Sequence, residues 1–77
     1  HQPMQTADRR YSISYNGEVY NFKEIRTELE AHGHQFHSNT DTEVVLKAYA
    51  QWQEKCIHKF NGMFAFSIWD RNERKLF

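Results

Sequence analysis

Two places in this chain of 77 residues combine residue types that can do chemistry: the pair Asn16-Gly17, and Asp41. An Asn side-chain amide beside a Gly backbone N–H can aim two donors at one oxygen, the arrangement of an oxyanion hole. The same dipeptide is also the strongest short-range signal of a hairpin turn. The two readings are compatible, because a tight turn would hold both donors still, and a turn is the expectation here. Asp41 falls at the first position of an expected helix, where the helix dipole favours a carboxylate. It also stands at an element end, where it could oppose the ammonium group of a ligand.

Other candidates weigh toward structure. Cys56 is the only cysteine and shares an apolar face with Ile57 and Phe60, with no general base beside it. It reads as a small hydrophobe rather than a nucleophile, and a single cysteine excludes an internal disulfide and suits a reducing cytoplasm. His32, His34 and His37 form a loose cluster without a Cys or paired carboxylate, and read as exposed titrating side chains rather than metal ligands. The stretch Gly62 to Trp69 is superficially similar to the aromatic strand of an RNA-recognition module, with Phe64 and Phe66 as stacking rings. It lacks a basic residue before the glycine, and ten Lys+Arg against ten Asp+Glu leave no net charge to draw in phosphates. Nucleic acid and anionic membrane are therefore not expected partners, and no apolar run approaches the ~20 residues that span a bilayer.

These residues need elements to position them. Tyr11, Ile13 and Tyr15 alternate with Ser12 and Ser14, predicting a half-buried strand after a polar loop over 1–8. Glu18-Val19-Tyr20 resumes an extended stretch beyond the expected turn. Asn21 opens a helix, with Glu24 completing a capping pair, Phe22, Ile25 and Leu29 on one face, and Gly33 as the stop. Thr40 and Glu43 form a second capping box, and Val45, Ala48, Tyr49 and Trp52 follow at helical spacing. Cys56, Ile57 and Phe60 predict a further helical turn or two before Asn61-Gly62. Met63 to Trp69 is nearly continuously apolar, which predicts a strand covered on both faces, and Lys75-Leu76-Phe77 begins a return strand. The class is α+β. Covering both faces of that strand requires a second sheet from elsewhere. The lack of an initiator methionine and the apolar end at Leu76-Phe77 agree, and lead us to expect an interior part of one larger domain, with both ends of the domain missing.

Four spaced blocks carry a family resemblance: Asn16-Gly17-Glu18-Val19-Tyr20-Asn21, Gly33-His34-Gln35-Phe36, Asp41-Thr42-Glu43-Val44-Val45-Leu46, and Asn61-Gly62-Met63-Phe64-Ala65-Phe66 with Trp69-Asp70. Together they resemble the glutaminase domain of glutamine-hydrolysing asparagine synthetases, which are class II glutamine amidotransferases. Gln2-Pro3-Met4 is similar to the segment before this region in that family. The resemblance implies an N-terminal-nucleophile hydrolase fold of four layers, α-β-β-α. It implies that an N-terminal Cys attacks the glutamine amide with its own α-amine as base, that a thioester forms and ammonia leaves, and that water releases glutamate.

On these positions the resemblance implies that Asn16 and Gly17 form the oxyanion hole, that Glu18 lines the substrate pocket, and that Asp41 holds the glutamine α-ammonium. L-glutamine is the implied substrate. The implied partners are the rest of the amidotransferase domain and a synthetase domain that uses ATP and Mg to activate aspartate; no cofactor or metal is expected in this segment. Position 1 is His rather than Cys, so these 77 residues are expected to be inactive alone. A cytoplasmic location is expected, and a homo-oligomer is left open. The competing expectations are another class II amidotransferase, or a non-catalytic interaction module that keeps part of the fold.

Overall fold

Alternation shapes the first long strand, β2 (Tyr11–Val19): Tyr11, Ile13, Tyr15 and Val19 are buried, while Ser14, Asn16 and Glu18 are exposed. The computed structural model describes residues 4–77; His1, Gln2 and Pro3, and with them part of the Gln2-Pro3-Met4 resemblance, lie outside the described residues. Around β2 the order is β1 (Met4–Gln5), β2, α1 (Phe22–Ala31), α2 (Asp41–Trp52), a 3₁₀ helix (Gln53–Lys59), β3 (Gly62–Asp70) and β4 (Lys75–Leu76). The strands form one antiparallel sheet in the order β1-β2-β3-β4. The class is α+β, as expected. β1 replaces part of the expected loop over 1–8: its two residues pair with Ser12 and Ile13, too short a run to show a period.

The core lies between one sheet face and the helices. Ile25 and Leu29 of α1 and Val44, Val45, Leu46, Ala48 and Tyr49 of α2 bury against Ile13, Val19 and Ile68, with Cys56 filling in from the 3₁₀ helix. Tyr49 meets Tyr11 edge-on at 5.4 Å between ring centroids and lies 4.8 Å from Phe77. Fully burying each such aliphatic side chain contributes about 1.5–3 kcal/mol. The opposite face is open, as expected of a segment whose second cover comes from elsewhere. Met63 is 76% exposed, Trp69 43% and Leu76 69%, so among the described residues nothing covers that side of β3 and β4. The apolar run in β3 calls for two covers, and these residues supply the one made by the helices.

The Asn-Gly turn is also corrected. Asn16 and Gly17 lie inside β2, paired with Ala65 and Phe64 in an unbroken register from Tyr11↔Asp70 to Val19↔Gly62. Glycine is required there by close approach rather than by reversal of the chain. Gly17 has φ +117°, and a Cβ on it would collide with the Met63 carbonyl oxygen and stand 2.6 Å from Phe64 Cα. Gly62 answers it across the ladder, where a Cβ would collide with the Glu18 carbonyl oxygen. Strain at the positive φ adds to the overlap with backbone that cannot swing aside. Gly17→Ala is therefore expected to destabilise the fold by about 2–4 kcal/mol, read as a lowered midpoint in denaturant titration; a midpoint unchanged from the parent would contradict this.

The caps are half as expected. Asn21 precedes α1 without capping it; its Nδ2 donates to the Lys59 carbonyl at 2.7 Å and its Oδ1 accepts from the Asn61 N–H at 2.9 Å. That pair fastens the end of β2 to the start of β3. α1 stops as predicted: Gly33 takes φ +95°, its N–H reaches the Glu30 carbonyl and the His34 N–H reaches Leu29. Thr40 Oγ1 accepts from the Glu43 N–H at 3.4 Å, but the Glu43 carboxylate does not return the bond to Thr40. It is buried and accepts instead from the Ser38 hydroxyl and the N–H groups of His37 and Ser38. Burial pushes its pKa up, and these three donors outweigh that and hold it below the ordinary range. The loop before α2 is thereby tied to the helix.

Candidate functional site

The far end of the β2–β3 ladder is locked by charge. Arg10 Nε and Nη2 donate to the two carboxylate oxygens of buried Asp70 at 3.1 and 3.2 Å, and the Arg10 guanidinium holds that carboxyl below its usual range. The other end, where β2 meets the start of α2, gathers three of the four residues singled out in the sequence.

Asp41 is the first residue of α2, and its Oδ2 accepts two hydrogen bonds from β2. The Tyr15 hydroxyl donates at 2.8 Å and the Val19 N–H at 3.2 Å. Tyr15 is buried, and burial followed by the Asp41 bond raises its pKa far above that of a free phenol, so it stays a donor. Both bonds fall on Oδ2, and Asp41 lines an open groove of about 400 Å³ with Glu18, Val19, Tyr20, Asn39 and Thr40.

Register places Gly17 on the same edge. The Tyr20 N–H donates to the Asn61 carbonyl and the Arg71 N–H to the Arg10 carbonyl, so even-numbered β2 residues face β3 in the ladder. Odd-numbered residues direct their N–H to the opposite edge, as Val19 does toward Asp41. β1 covers that edge only at Ser12 and Ile13, and among the described residues no strand covers it further along. The unbroken register puts Gly17 at the same parity as Val19, two residues or about 7 Å along the strand from the Val19–Asp41 bond.

Asn16 stands apart from this groove. It is exposed on the uncovered sheet face, and it lines a shallow depression of about 370 Å³ with Ser14, Tyr15, Ala65, Phe66 and Ser67. Glu18 and Asp41 thus share one groove, Gly17 lies on the adjoining strand edge, and Asn16 flanks it on the open face.

The remaining candidates are drawn elsewhere. Cys56 is buried and burial pushes its thiol up to about 11, which keeps it an unreactive neutral group. His34 Nε2 lies 2.9 Å from Gln51 Oε1, His32 packs edge-on against Trp52, and His37 contributes its backbone to Glu43. Phe64 and Phe66 face the helices and pack with Phe60 rather than offering stacking surfaces. Tyr15 is the site residue that the sequence did not announce. Its alternation marked it as apolar strand, and only the hydroxyl, at a buried position near an acidic helix start, hinted at a polar partner.

Comparison with known proteins follows the same lines. A family model described as a glutamine amidotransferase domain matches residues 1–77. Asparagine synthetase [glutamine-hydrolyzing] 3 of Bacillus subtilis (strain 168) is 52% identical over 78 residues, covering 99% of this chain and 13% of its own length. Asparagine synthetase [glutamine-hydrolyzing] 1 of the same organism is 46% identical over 76 residues, covering 99% and 12%. Asparagine synthetase [glutamine-hydrolyzing] 2 of Arabidopsis thaliana is 36% identical over 73 residues, covering 95% and 12%. The chain spans only about an eighth of the length of these relatives. Among solved structures, the glutamine phosphoribosylpyrophosphate amidotransferase of B. subtilis, complexed with ADP and GMP, superposes with a TM-score of 0.70 at 19% identity, covering 90% of this chain and 17% of that one. That likeness supports the N-terminal-nucleophile hydrolase fold. Among the described residues no helix is long and apolar enough to cross a membrane.

Proposed function

The chain belongs to the glutamine amidotransferase domain family, and from that premise we propose that it forms part of the glutaminase half of an asparagine synthetase, binding L-glutamine for hydrolysis to glutamate and ammonia. The observation that carries the reading is Asp41: a carboxylate fixed through Oδ2 by Tyr15 and Val19 and lining a groove at the end of β2 near Gly17. Oδ1 takes the α-ammonium of glutamine, and Glu18 lines the groove around it. The Gly17 N–H and the Asn16 side-chain amide receive the negative charge that develops on the amide oxygen when it is attacked. Such donors accelerate the reaction because they are already aimed when the charge appears.

No residue here is assigned the nucleophile. Cys56 is sealed in the core, and the attacking group belongs to the rest of the domain. The uncovered face with Met63, Trp69 and Leu76 is assigned to the second sheet of the four-layer fold, which fits an interior part of one domain. Ammonia passes to a synthetase part in which aspartate is activated; ATP and Mg are assigned to that part and to no residue of this chain. The asparagine synthetase relatives support aspartate as the acceptor.

The test is made on the full-length protein that carries this segment. With glutamine, aspartate, ATP and Mg, glutamate and asparagine are expected in equal amounts. Glutamate without asparagine would keep the glutaminase and overturn the acceptor; neither product would overturn both.

A further inference from the structure

Asp41 is a freely rotating carboxylate on its own, and a cation-binding carboxylate gains from being held in one orientation. Two groups of β2 hold it here, the Val19 N–H at 3.2 Å and the Tyr15 hydroxyl at 2.8 Å, both on Oδ2. The backbone donor is available to any residue but proline at position 19. The phenol is not: Tyr15 is one of the inward-facing residues of β2, where a purely apolar side chain would satisfy the core equally well. A hydroxyl there is buried 26 positions away in sequence from the carboxylate it meets. Placing a phenol at this depth requires a partner, and Asp41 is the partner that the fold supplies.

We infer that Tyr15 is a positioning residue for substrate: its hydroxyl, together with the Val19 N–H, occupies Oδ2 of Asp41 and turns Oδ1 toward the groove to receive the ammonium group. The inference rests on the reading of Asp41 as the ammonium site. It adds that recognition of the amino-acid end of the substrate is set from beneath the groove, by a strand residue that does not itself touch glutamine. Without the hydroxyl, the carboxylate turns among orientations that Val19 alone permits, and the fraction that faces the substrate falls.

Tyr15→Phe removes one oxygen and keeps the ring that packs the core. In the full-length protein, the expected result is a KM for glutamine raised about tenfold, with kcat within about twofold and ammonia-dependent synthesis unchanged. With 4-carbamoylbutanoate, which has the amide and carboxylate but no α-ammonium, Tyr15→Phe should leave kcat/KM unchanged. A general loosening of the fold would lower it for both substrates and so overturns the inference. In the Asp41→Asn background, Tyr15→Phe should add less than twofold to KM, because the group it acts through is gone. Asp41→Asn separates the two readings. If it leaves the KM for glutamine unchanged, the ammonium site is wrong; if it raises KM while Tyr15→Phe does not, only the role of Tyr15 is overturned. Should Tyr15→Phe fail to accumulate, fluorotyrosine at position 15, a stronger donor, is expected to lower KM, and an unchanged or raised KM overturns the inference.

Discussion

Replacing Asp41 with Asn in the full-length protein is expected to raise the KM for glutamine by thirtyfold or more while leaving kcat at saturation within about twofold. Asn has nearly the same shape, and its carbonyl oxygen can still accept from the Tyr15 hydroxyl and the Val19 N–H, which now meet Oδ2. The end of β2 therefore stays tied to the start of α2. What is lost is the negative charge facing the groove. Removing one member of a desolvated charge pair costs about 2–5 kcal/mol, which corresponds to a loss of affinity between about thirtyfold and several thousandfold. The ammonium group is remote from the reacting amide, and its contact is equally strong in ground and transition states. The loss therefore falls on KM. Steady-state rates across a glutamine series check it, with free ammonia as the alternative donor to show that the rest of the enzyme is intact. A KM within twofold of the parent would remove Asp41 from the site.

Much of this site could be read from the sequence, and the residues that could not share one cause. Asp41 was found because Thr40, Glu43 and the apolar spacing of Val45, Ala48 and Tyr49 mark where α2 begins, and all of those signals lie within one or two turns of each other. Gly33 was found for the same reason, as a local stop. Asn16-Gly17 carries the signal of a turn because a turn and a close approach of strands both select glycine. The neighbour that decides between them, Met63 with Phe64, is distant in the chain. Asx residues before helices usually cap them, but the Asn21 amide is committed to Lys59 and Asn61 instead. Tyr15 follows the same rule. Period-two patterning sets which face a residue occupies, while the partner of its hydroxyl depends on how α2 docks. The uncovered face of β3 was legible, since the apolar pattern calls for a second cover from elsewhere and these residues do not supply it.

The chemical step should respond to Asn16 in the opposite way. Asn16→Ala is expected to lower kcat for glutamine by about 10²–10³, the usual loss when one oxyanion donor is removed, with KM changed less than threefold. The ground-state amide is neutral, so a hydrogen bond to its oxygen is weak until attack places a full charge there; the donor is then worth far more in the transition state than in the bound substrate. Position 16 stands opposite Ala65 on the sheet face away from the helices, so truncation leaves no cavity in the core between sheet and helices. Gly17 cannot be tested in this way, since any side chain there strikes β3 before it alters the N–H. The geometry also separates the two predictions. Asp41 acts from the groove at the strand edge and Asn16 from the sheet face beside it, so the double variant should combine the KM change of one with the kcat change of the other. An Asn16→Ala enzyme that loses affinity but keeps its turnover would place Asn16 among the groups that hold the substrate and leave the developing charge to the N–H of Gly17 alone.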